Sequence, residues 1–352
     1  MGKILEVNNL HTSFFTHLGE VQAVRGSDFS MEEGDILGIV GESGSGKSVT
    51  ALSVIGLIDE PGKIKEGDII FDGKDLTELS YKELSDLRGN DISMIFQDPM
   101  TSLNPVFTIK NQMMEVIRRH TDMSKAEAKQ HAIKMLEIVG IPEAEARISS
   151  YPHEFSGGMR QRVMIATALS CNPKLLIADE PSTALDVTIQ AQILDLMLSL
   201  QKEIKTSIIL ITHDLGVIAE VCTSIIVMYG GMIMEKGTVD EIFYEASHPY
   251  TIGLHKSVPS MSRKSNERLV PIAGSPPDLL KPPAGCPFSP RCDHAMQICL
   301  ELPAPMFDIN KTHCSACWLL HEDAPCKECL NLKTFKTGHL HIAEKYIERL
   351  SL

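Results

Sequence analysis

The 352-residue sequence lacks several features that would assign it to common protein classes. Positive charge is in the minority, because 33 lysine and arginine residues stand against 46 aspartate and glutamate residues, for a formal net charge of −13. This balance argues against a protein that works mainly by neutralising nucleic-acid phosphates, so we expect no nucleic-acid partner. Internal repeats and coiled-coil heptads are also absent, so neither a solenoid nor a long coiled coil is expected. The acidic charge leaves nucleotide binding open.

Signals for export or for membrane insertion are also missing. Residues 1–6 carry no basic segment followed by an apolar one, so we expect no signal peptide and a cytoplasmic location. The longest weakly charged stretch, residues 215–234, contains only Glu220 and approaches the ~20 residues of a membrane span. A glycine pair from Gly230 breaks its end, and residues 225–229 are β-branched and aromatic. This stretch is therefore predicted to be a short helix followed by a buried strand.

Proline and cysteine are distributed unevenly along the chain. Residues 247–352 hold 12 of the 19 prolines and 7 of the 9 cysteines. At about 150 residues per domain, the length suggests two domains. We therefore divide the chain into a first domain at 1–246, a cysteine-rich region at 247–330 and a short amphipathic tail at 331–352.

The first domain has the pattern of an α/β fold. Short apolar runs at 36–40, 175–178 and 208–211 alternate with helical segments and are typical of parallel core strands. Residues 124–140 begin with Ser124 and carry Glu127 three positions later, which is the capping-box pattern of a helix start. We assign this segment to an inserted helical subdomain.

A phosphate-binding loop is predicted at residues 41–48, GESGSGKS. It follows the apolar run 36–40 and precedes a predicted helix at 49–57, which is the context that the motif requires. Backbone N–H groups of such a loop converge on phosphate oxygens at the helix start. Lys47 would bind the β- and γ-phosphates and Ser48 the magnesium ion. The predicted nucleotide-binding residues of this segment are Gly41, Ser43, Gly44, Ser45, Gly46, Lys47, Ser48 and Val49.

Two acidic residues end the apolar run that begins at 175. Asp179 would reach the magnesium ion, and Glu180 would orient or deprotonate the attacking water. They fall at the carboxyl edge of the sheet, where open α/β sheets bind ligands. Taken alone, the pair could equally be a solvated strand end.

A second anion-binding helix start is predicted at residues 155–161, FSGGMRQ, ahead of a helix at 159–169. One nucleotide needs only one such loop. The second could therefore serve a nucleotide that is held mainly by another subunit.

The motifs GESGSGKS, FQDP, FSGGMRQR, LLIADEPSTALD and ITHD, in this order, resemble the complete motif set of ATP-binding cassette (ABC) ATPases. The resemblance implies a P-loop NTPase with a RecA-like core, an antiparallel β subdomain and a helical subdomain. It also implies a dimer in which two ATP molecules lie between two cassettes. By the same resemblance, Gln97 contacts magnesium and the attacking water, and His213 senses the γ-phosphate. Ser156, Gly157 and Gly158 contact the γ-phosphate of the opposite site, and Asp186 lies in a loop that faces the partner subunit. Phe14 stacks on adenine, with Phe15 as the competing candidate.

Further segments resemble the ATPase subunits of oligopeptide and dipeptide importers. They are FQDPMTSLNP at 96–105, STALDVTIQAQIL at 182–194, HPYT at 248–251 and IAGSPPDL at 272–279, and the similarity spans about 5–318. It implies an ATPase at the cytoplasmic face of the membrane, working with a second ATPase subunit, two permeases and an extracytoplasmic peptide-binding protein. Alternatives are an importer of nickel or another small solute, and a soluble ABC protein that acts on ribosomes or DNA.

The clustered cysteines favour metal binding over disulfides in a cytoplasmic protein. Four thiolates suit either an iron–sulfur cluster or zinc, and spacing alone does not decide between them. The resemblance to the importer ATPases implies a structural [4Fe-4S] cluster held by Cys286, Cys292, Cys299 and Cys317. The competing prediction is zinc held by Cys314, Cys317, Cys326 and Cys329.

Overall fold

Two β-sheets and a helical subdomain carry the fold in a computed structural model, which describes residues 2–97, 102–181, 187–257 and 271–324. The strands are β1 Lys3–Thr16, β2 Gly19–Glu32, β3 Ile36–Val40, β4 Gly62–Phe71, β5 Lys74–Asp75, β6 Ile92–Ile95, β7 Leu175–Asp179, β8 Ser207–Ile211, β9 Ser224–Tyr229, β10 Met232–Thr238, β11 Phe307–Asp308 and β12 Cys314–Ser315. The helices are α1 Lys47–Val54, α2 Tyr81–Leu87, α3 Ile109–His120, α4 Lys125–Ile138, α5 Ala144–Arg147, α6 Gly157–Leu169, α7 Val187–Ile204, α8 Leu215–Val221, α9 Val239–Tyr244, α10 Pro249–Ser257 and α11 Gln297–Glu301.

The larger sheet has the strand order β11-β12-β10-β9-β3-β8-β7-β6. Strands β9, β3, β8, β7 and β6 are parallel, whereas β10, β12 and β11 add antiparallel pairs. The predicted core strands are confirmed as β3, β7, β8 and β9. Both faces of this sheet are buried, since Leu37 and Ile39 of β3 belong to one hydrophobic cluster while Ile36 and Val40 belong to another. Burial on both faces explains why these strands read as continuous apolar runs.

The smaller sheet is antiparallel, with the order β2-β1-β4-β5. Its apolar residues Leu5, Val7 and Phe71 pack in the same cluster as Leu37 of the larger sheet and Ala51 of α1. This layer therefore supports the start of α1 from one side.

Helices α3, α4 and α6 form the predicted helical subdomain. The capping box is confirmed, because the Ser124 amide donates to the Glu127 carboxylate at 2.8 Å and the Glu127 amide donates to Ser124 Oγ at 3.3 Å. Helix α4 buries Ala128, Ala132 and Leu136 against the larger hydrophobic cluster.

The C-terminal region extends the larger sheet. Strand β12 pairs with β10, with Ser315 opposite Glu235. Residues 271–288 form turns and irregular structure, which fits their high proline content. Among the described residues, no helix is long and apolar enough to span a membrane. The amphipathic tail predicted at 331–352 lies outside the described residues, and the division at 246 and 330 stays a prediction.

Candidate functional site

The predicted phosphate loop connects β3 to α1, and α1 begins at Lys47 rather than at residue 49. Its first and last glycines meet backbone that leaves no room for a side chain. A Cβ on Gly41 would lie 2.1 Å from the Met228 carbonyl oxygen, and one on Gly46 would lie 2.5 Å from the Ala23 carbonyl oxygen. Gly46 also has a φ of +101°, a conformation that favours glycine. The neighbouring strands β9 and β2 thus fix the path of the loop.

Lys47 is buried beneath this loop, with its ammonium group turned back onto it. The Nζ atom donates to the carbonyl oxygens of Gly41 at 2.8 Å and Glu42 at 2.9 Å. Burial lowers the pKa of Lys47, and the charges of Glu180 and Asp179 oppose this shift. The structure therefore places one cation inside the loop and two carboxylates within electrostatic range. Ser43 and Gly44 are exposed at the tip, Ser45 is buried, and Ser48 and Val49 are half-buried in α1.

Asp179 is the last residue of β7, and its carboxylate is buried. Its Oδ1 atom is buried and has no hydrogen-bond partner among the described residues. Burial raises the pKa of Asp179, and a hydrogen bond with the Ser48 side chain opposes this shift. A buried carboxylate oxygen without a partner, next to a hydroxyl, suits magnesium, which takes oxygen ligands. Ser48 and Asp179 thus fit the predicted metal position.

Glu180 meets Gln97 and His213 at the same edge of the sheet. Gln97 Nε2 donates to Glu180 Oε2 at 2.9 Å, and His213 Nδ1 lies 3.5 Å from Glu180 Oε1. The three residues follow β6, β7 and β8, whose carboxyl ends share one edge. Glu180 has a φ of +47°, which is unusual for a residue other than glycine and is typical of functional positions. Glu180 thus has an uncommon backbone conformation at the point where its carboxylate meets Gln97 and His213.

The second predicted anion site lies at the start of α6 in the helical subdomain. Ser156 caps the helix, since its Oγ accepts from the Met159 amide at 3.3 Å. The helix begins at Gly157, two residues earlier than predicted. Ser156 and Gly157 are exposed and Gly158 is half-buried, so this helix start faces outward. Asp186 lies outside the described residues.

The two adenine-stacking candidates differ in their surroundings. Phe14 is half-buried and packs beside Gly62. A Cβ built on Gly62 would lie within 2.8 Å of the Phe14 ring and of the Ile58 side chain. Phe15 is exposed, with Lys63 Nζ 4.7 Å from the ring centroid.

Four of the C-terminal cysteines share one cavity. Its volume is about 20 Å³, and its lining includes Cys286, Cys292, Cys299 and Cys317. Burial raises the pKa of the Cys286 thiol to about 11 and that of Cys292 to about 12. Among the described residues, no three histidine, cysteine or acidic side chains are already arranged as ligands of a single metal ion.

The cysteines of the competing zinc prediction are not brought together in the described part of the chain. Cys314 is buried in β12 and does not line this cavity. Cys326 and Cys329 lie outside the described residues.

The structure also links the cysteine region to the phosphate loop, a contact that the sequence does not predict. Arg291, next to Cys292, makes an ion pair with Glu42 of the loop, and Tyr250 hydrogen-bonds the Glu42 amide. Arg291 is the one charged residue between Cys286 and Cys292 in the sequence. No local pattern, however, pairs residues so far apart in the chain.

Comparisons with known proteins agree with this architecture. An ABC transporter family model matches residues 24–183, and a model of the oligopeptide/dipeptide transporter C-terminal region matches 234–299. The chain is 57% identical to the Bacillus subtilis oligopeptide transport ATP-binding protein OppD, over 92% of this chain and 90% of that protein. It is 52% identical to the Bacillus subtilis dipeptide transport ATP-binding protein DppD, over 92% of this chain and 97% of that protein.

A solved structure supports the fold independently. It is a dimeric ATP-binding cassette in a post-hydrolysis state with ADP and Pi, which is 28% identical with a TM-score of 0.60 and covers 67% of this chain and 98% of its own. The order of motifs, the two sheets and the close relatives lead to one assignment. This chain belongs to the family of oligopeptide and dipeptide transport ATP-binding proteins, within the ABC transporters.

Proposed function

We propose that this protein is the ATP-hydrolysing subunit of an importer for oligopeptides or dipeptides. The observation that carries the proposal is the meeting of Gln97, Glu180 and His213 beside a phosphate loop with a buried lysine. The relatives named as oligopeptide and dipeptide transport ATP-binding proteins supply the cargo class.

In the proposed reaction, the loop amides and Lys47 bind the phosphates of ATP. Ser48 and Asp179 would hold the magnesium ion, which neutralises phosphate charge when bound. Glu180 orients the attacking water and takes its proton. Gln97 and His213 hold that carboxylate from two sides, so that it stays aimed at the line of attack.

Each nucleotide site is completed by a second ATPase subunit. Ser156, Gly157 and Gly158 are exposed at a helix start, where backbone N–H groups favour an anion. In the proposed dimer they contact the γ-phosphate held by the partner, and Asp186 faces that partner. The remaining partners are two membrane permeases and an extracytoplasmic peptide-binding protein, which places this subunit at the cytoplasmic face of the membrane.

Adenine is proposed to stack on Phe14. Base–aromatic stacking is worth about 1–3 kcal/mol. Phe14→Ala should therefore raise the dissociation constant for ATP about five-fold or more, compared with wild type measured in parallel. A larger effect of Phe15→Ala would transfer the role to Phe15.

The test of hydrolysis is Glu180→Gln in the full chain. ATP binding, followed by fluorescent-nucleotide titration, should persist, while phosphate release should fall about 10²–10⁴-fold, the usual contribution of a general base. Glu20→Gln is the matched control, since Glu20 pairs with Lys65 on the antiparallel sheet. Hydrolysis at the wild-type rate by Glu180→Gln would remove the catalytic role.

Cargo is tested in intact cells that carry Glu180→Gln at the native locus. Uptake of labelled peptides and of nickel is followed side by side. Loss of peptide entry with nickel entry unchanged supports the peptide importer. Loss of nickel entry alone would favour the nickel alternative.

We also propose that Cys286, Cys292, Cys299 and Cys317 hold a [4Fe-4S] cluster. Their convergence on one cavity supports this. The cluster would tie together a proline-rich region that has little core of its own.

Iron and acid-labile sulfide are measured after anaerobic purification. Cys292→Ser should lose both, while the matched variant Cys171→Ser should keep both, because Cys171 follows α6 outside the cavity. Zinc in place of iron, lost in Cys314→Ser, would favour the competing site.

A further inference from the structure

An ion pair joins the cysteine region to the phosphate loop. Arg291 Nη1 donates to Glu42 Oε2 at 2.6 Å, and Nη2 donates to Glu42 Oε1 at 3.1 Å. The Arg291 side chain is only 5% exposed. A bidentate guanidinium–carboxylate pair fixes orientation as well as distance. Glu42 is therefore held in one position by a residue that lies 249 positions away in the chain.

Arg291 is itself held by other groups. Its Nε donates to the Ala273 carbonyl at 2.8 Å, and Nη1 also donates to the Tyr229 hydroxyl at 2.9 Å. It ends the short 3₁₀ turn Ser289–Arg291 and directly precedes Cys292. The guanidinium is therefore held by Ala273 of the C-terminal region and by Tyr229 of β9.

Glu42 is also held through its backbone. Its amide donates to the buried Tyr250 hydroxyl at 2.8 Å, and its carbonyl accepts from Lys47 Nζ at 2.9 Å. Tyr250 belongs to α10, which lies beyond the first domain. The first peptide units of the phosphate loop are thus clamped by two separate elements of the C-terminal region.

We infer that Arg291 is a positioning residue for ATP binding, through which the cysteine-rich region holds the phosphate loop in its binding conformation. A loop with three glycines has many alternative conformations, and ordering it on binding lowers affinity. The Arg291–Glu42 pair removes that freedom in advance. This inference rests on the proposed role of the loop as the ATP site.

The test measures the dissociation constant of a fluorescent ATP analogue on the full chain. Arg291→Gln and Glu42→Gln should each raise it about five-fold or more, the usual lower range for coupling between sites. The double variant should show little further loss, because both changes remove the same pair. Arg291→Lys should lie between wild type and Arg291→Gln, since lysine keeps the charge and loses the bidentate geometry.

Two readouts separate positioning from general damage. KM for ATP should rise more than kcat falls, and iron content should match that of Lys174→Gln, which breaks the exposed pair with Asp72. If Arg291→Gln fails to fold, Glu42→Gln tests the same contact from within the loop.

Lys47→Ala distinguishes this inference from the proposed function. Loss of ATP binding in Lys47→Ala, with wild-type affinity in Arg291→Gln and Glu42→Gln, overturns the positioning role and leaves the proposed site intact. Wild-type binding by Lys47→Ala overturns both. Additive effects of Arg291→Gln and Glu42→Gln would also overturn the inference, because independent sites add.

Discussion

Removal of the buried carboxylate of Glu235 should release the C-terminal region from the larger sheet. Glu235 lies in β10 and is 0% exposed. It accepts hydrogen bonds from the Ser247 amide at 2.6 Å, the His248 amide at 3.1 Å and His313 Nε2 at 2.8 Å. These donors belong to the start of the C-terminal region and to the segment that enters β12. One side chain thus fastens two separate parts of that region.

The expected magnitude follows from these contacts. Glu235→Ala leaves three buried donors without an acceptor, and each such group costs about 1–3 kcal/mol. Loss of one partner from a buried pair typically lowers stability by about 3–5 kcal/mol. We expect a loss of roughly 3–5 kcal/mol in the free energy of unfolding of this region. Glu235→Gln keeps one acceptor oxygen and should lose less.

The assay uses the single tryptophan of the sequence, Trp318. Its indole N–H donates to the Leu302 carbonyl at 3.0 Å, so its fluorescence reports on the C-terminal region. In urea titrations of Glu235→Ala, the midpoint of the fluorescence transition should fall at a lower urea concentration than the midpoint of the far-UV circular dichroism transition. In wild type the two midpoints should coincide or differ less.

Glu20→Ala is the control for removal of a carboxylate. Its pair with Lys65 at 2.7 Å lies at the protein surface, where water screens the charges, so removing it should change stability little. A loss of stability in Glu235→Ala no larger than that in Glu20→Ala would show that Glu235 does not fasten the C-terminal region.

Two further predictions concern the loop and the C-terminal region. Gly46→Ala should abolish ATP binding in a nucleotide titration, whereas Gly44→Ala, where a Cβ meets open space, should weaken it less; equal effects would contradict the steric argument. Burial by itself raises the pKa of Glu241, but hydrogen bonds from the Thr238 amide and the Thr312 side chain outweigh it and lower that pKa to about 2. Its stabilisation is therefore fully present above the ordinary value of 4.5 and is lost as the pH falls towards 2. The stability difference between wild type and Glu241→Gln, measured by urea titration, should shrink between pH 6 and pH 3, and a constant difference would contradict this assignment.

Local patterns predicted much of the fold. The strands β3, β7, β8 and β9 were readable because burial on both faces demands continuous apolar runs. The capping box of α4 was readable because its two partners lie three residues apart. The predicted starts of the two helices at the glycine-rich segments were less accurate, since α1 and α6 each begin two residues earlier than predicted.

The C-terminal region was harder to predict. Strands β11 and β12 have two residues each, too few to show any period. Their position depends on pairing with β10, which is a property of the assembled sheet. Cys314 illustrates the difficulty, because its spacing to Cys317 suggested a shared metal site, whereas the structure places it in β12 away from the cysteine cavity.

The chemical groups of the candidate site can be recognised from short local segments, namely the phosphate loop, the acids that end β7 and the cysteines of the C-terminal region. Which of these groups meet depends on how the whole chain folds. Parallel pairing brings the ends of β6, β7 and β8 to one edge, where Gln97, Glu180 and His213 come together. Packing of the C-terminal region against the same domain brings Arg291 to Glu42. Such contacts depend on the path of the whole chain, and that path is fixed by burial and strand pairing rather than by any local pattern.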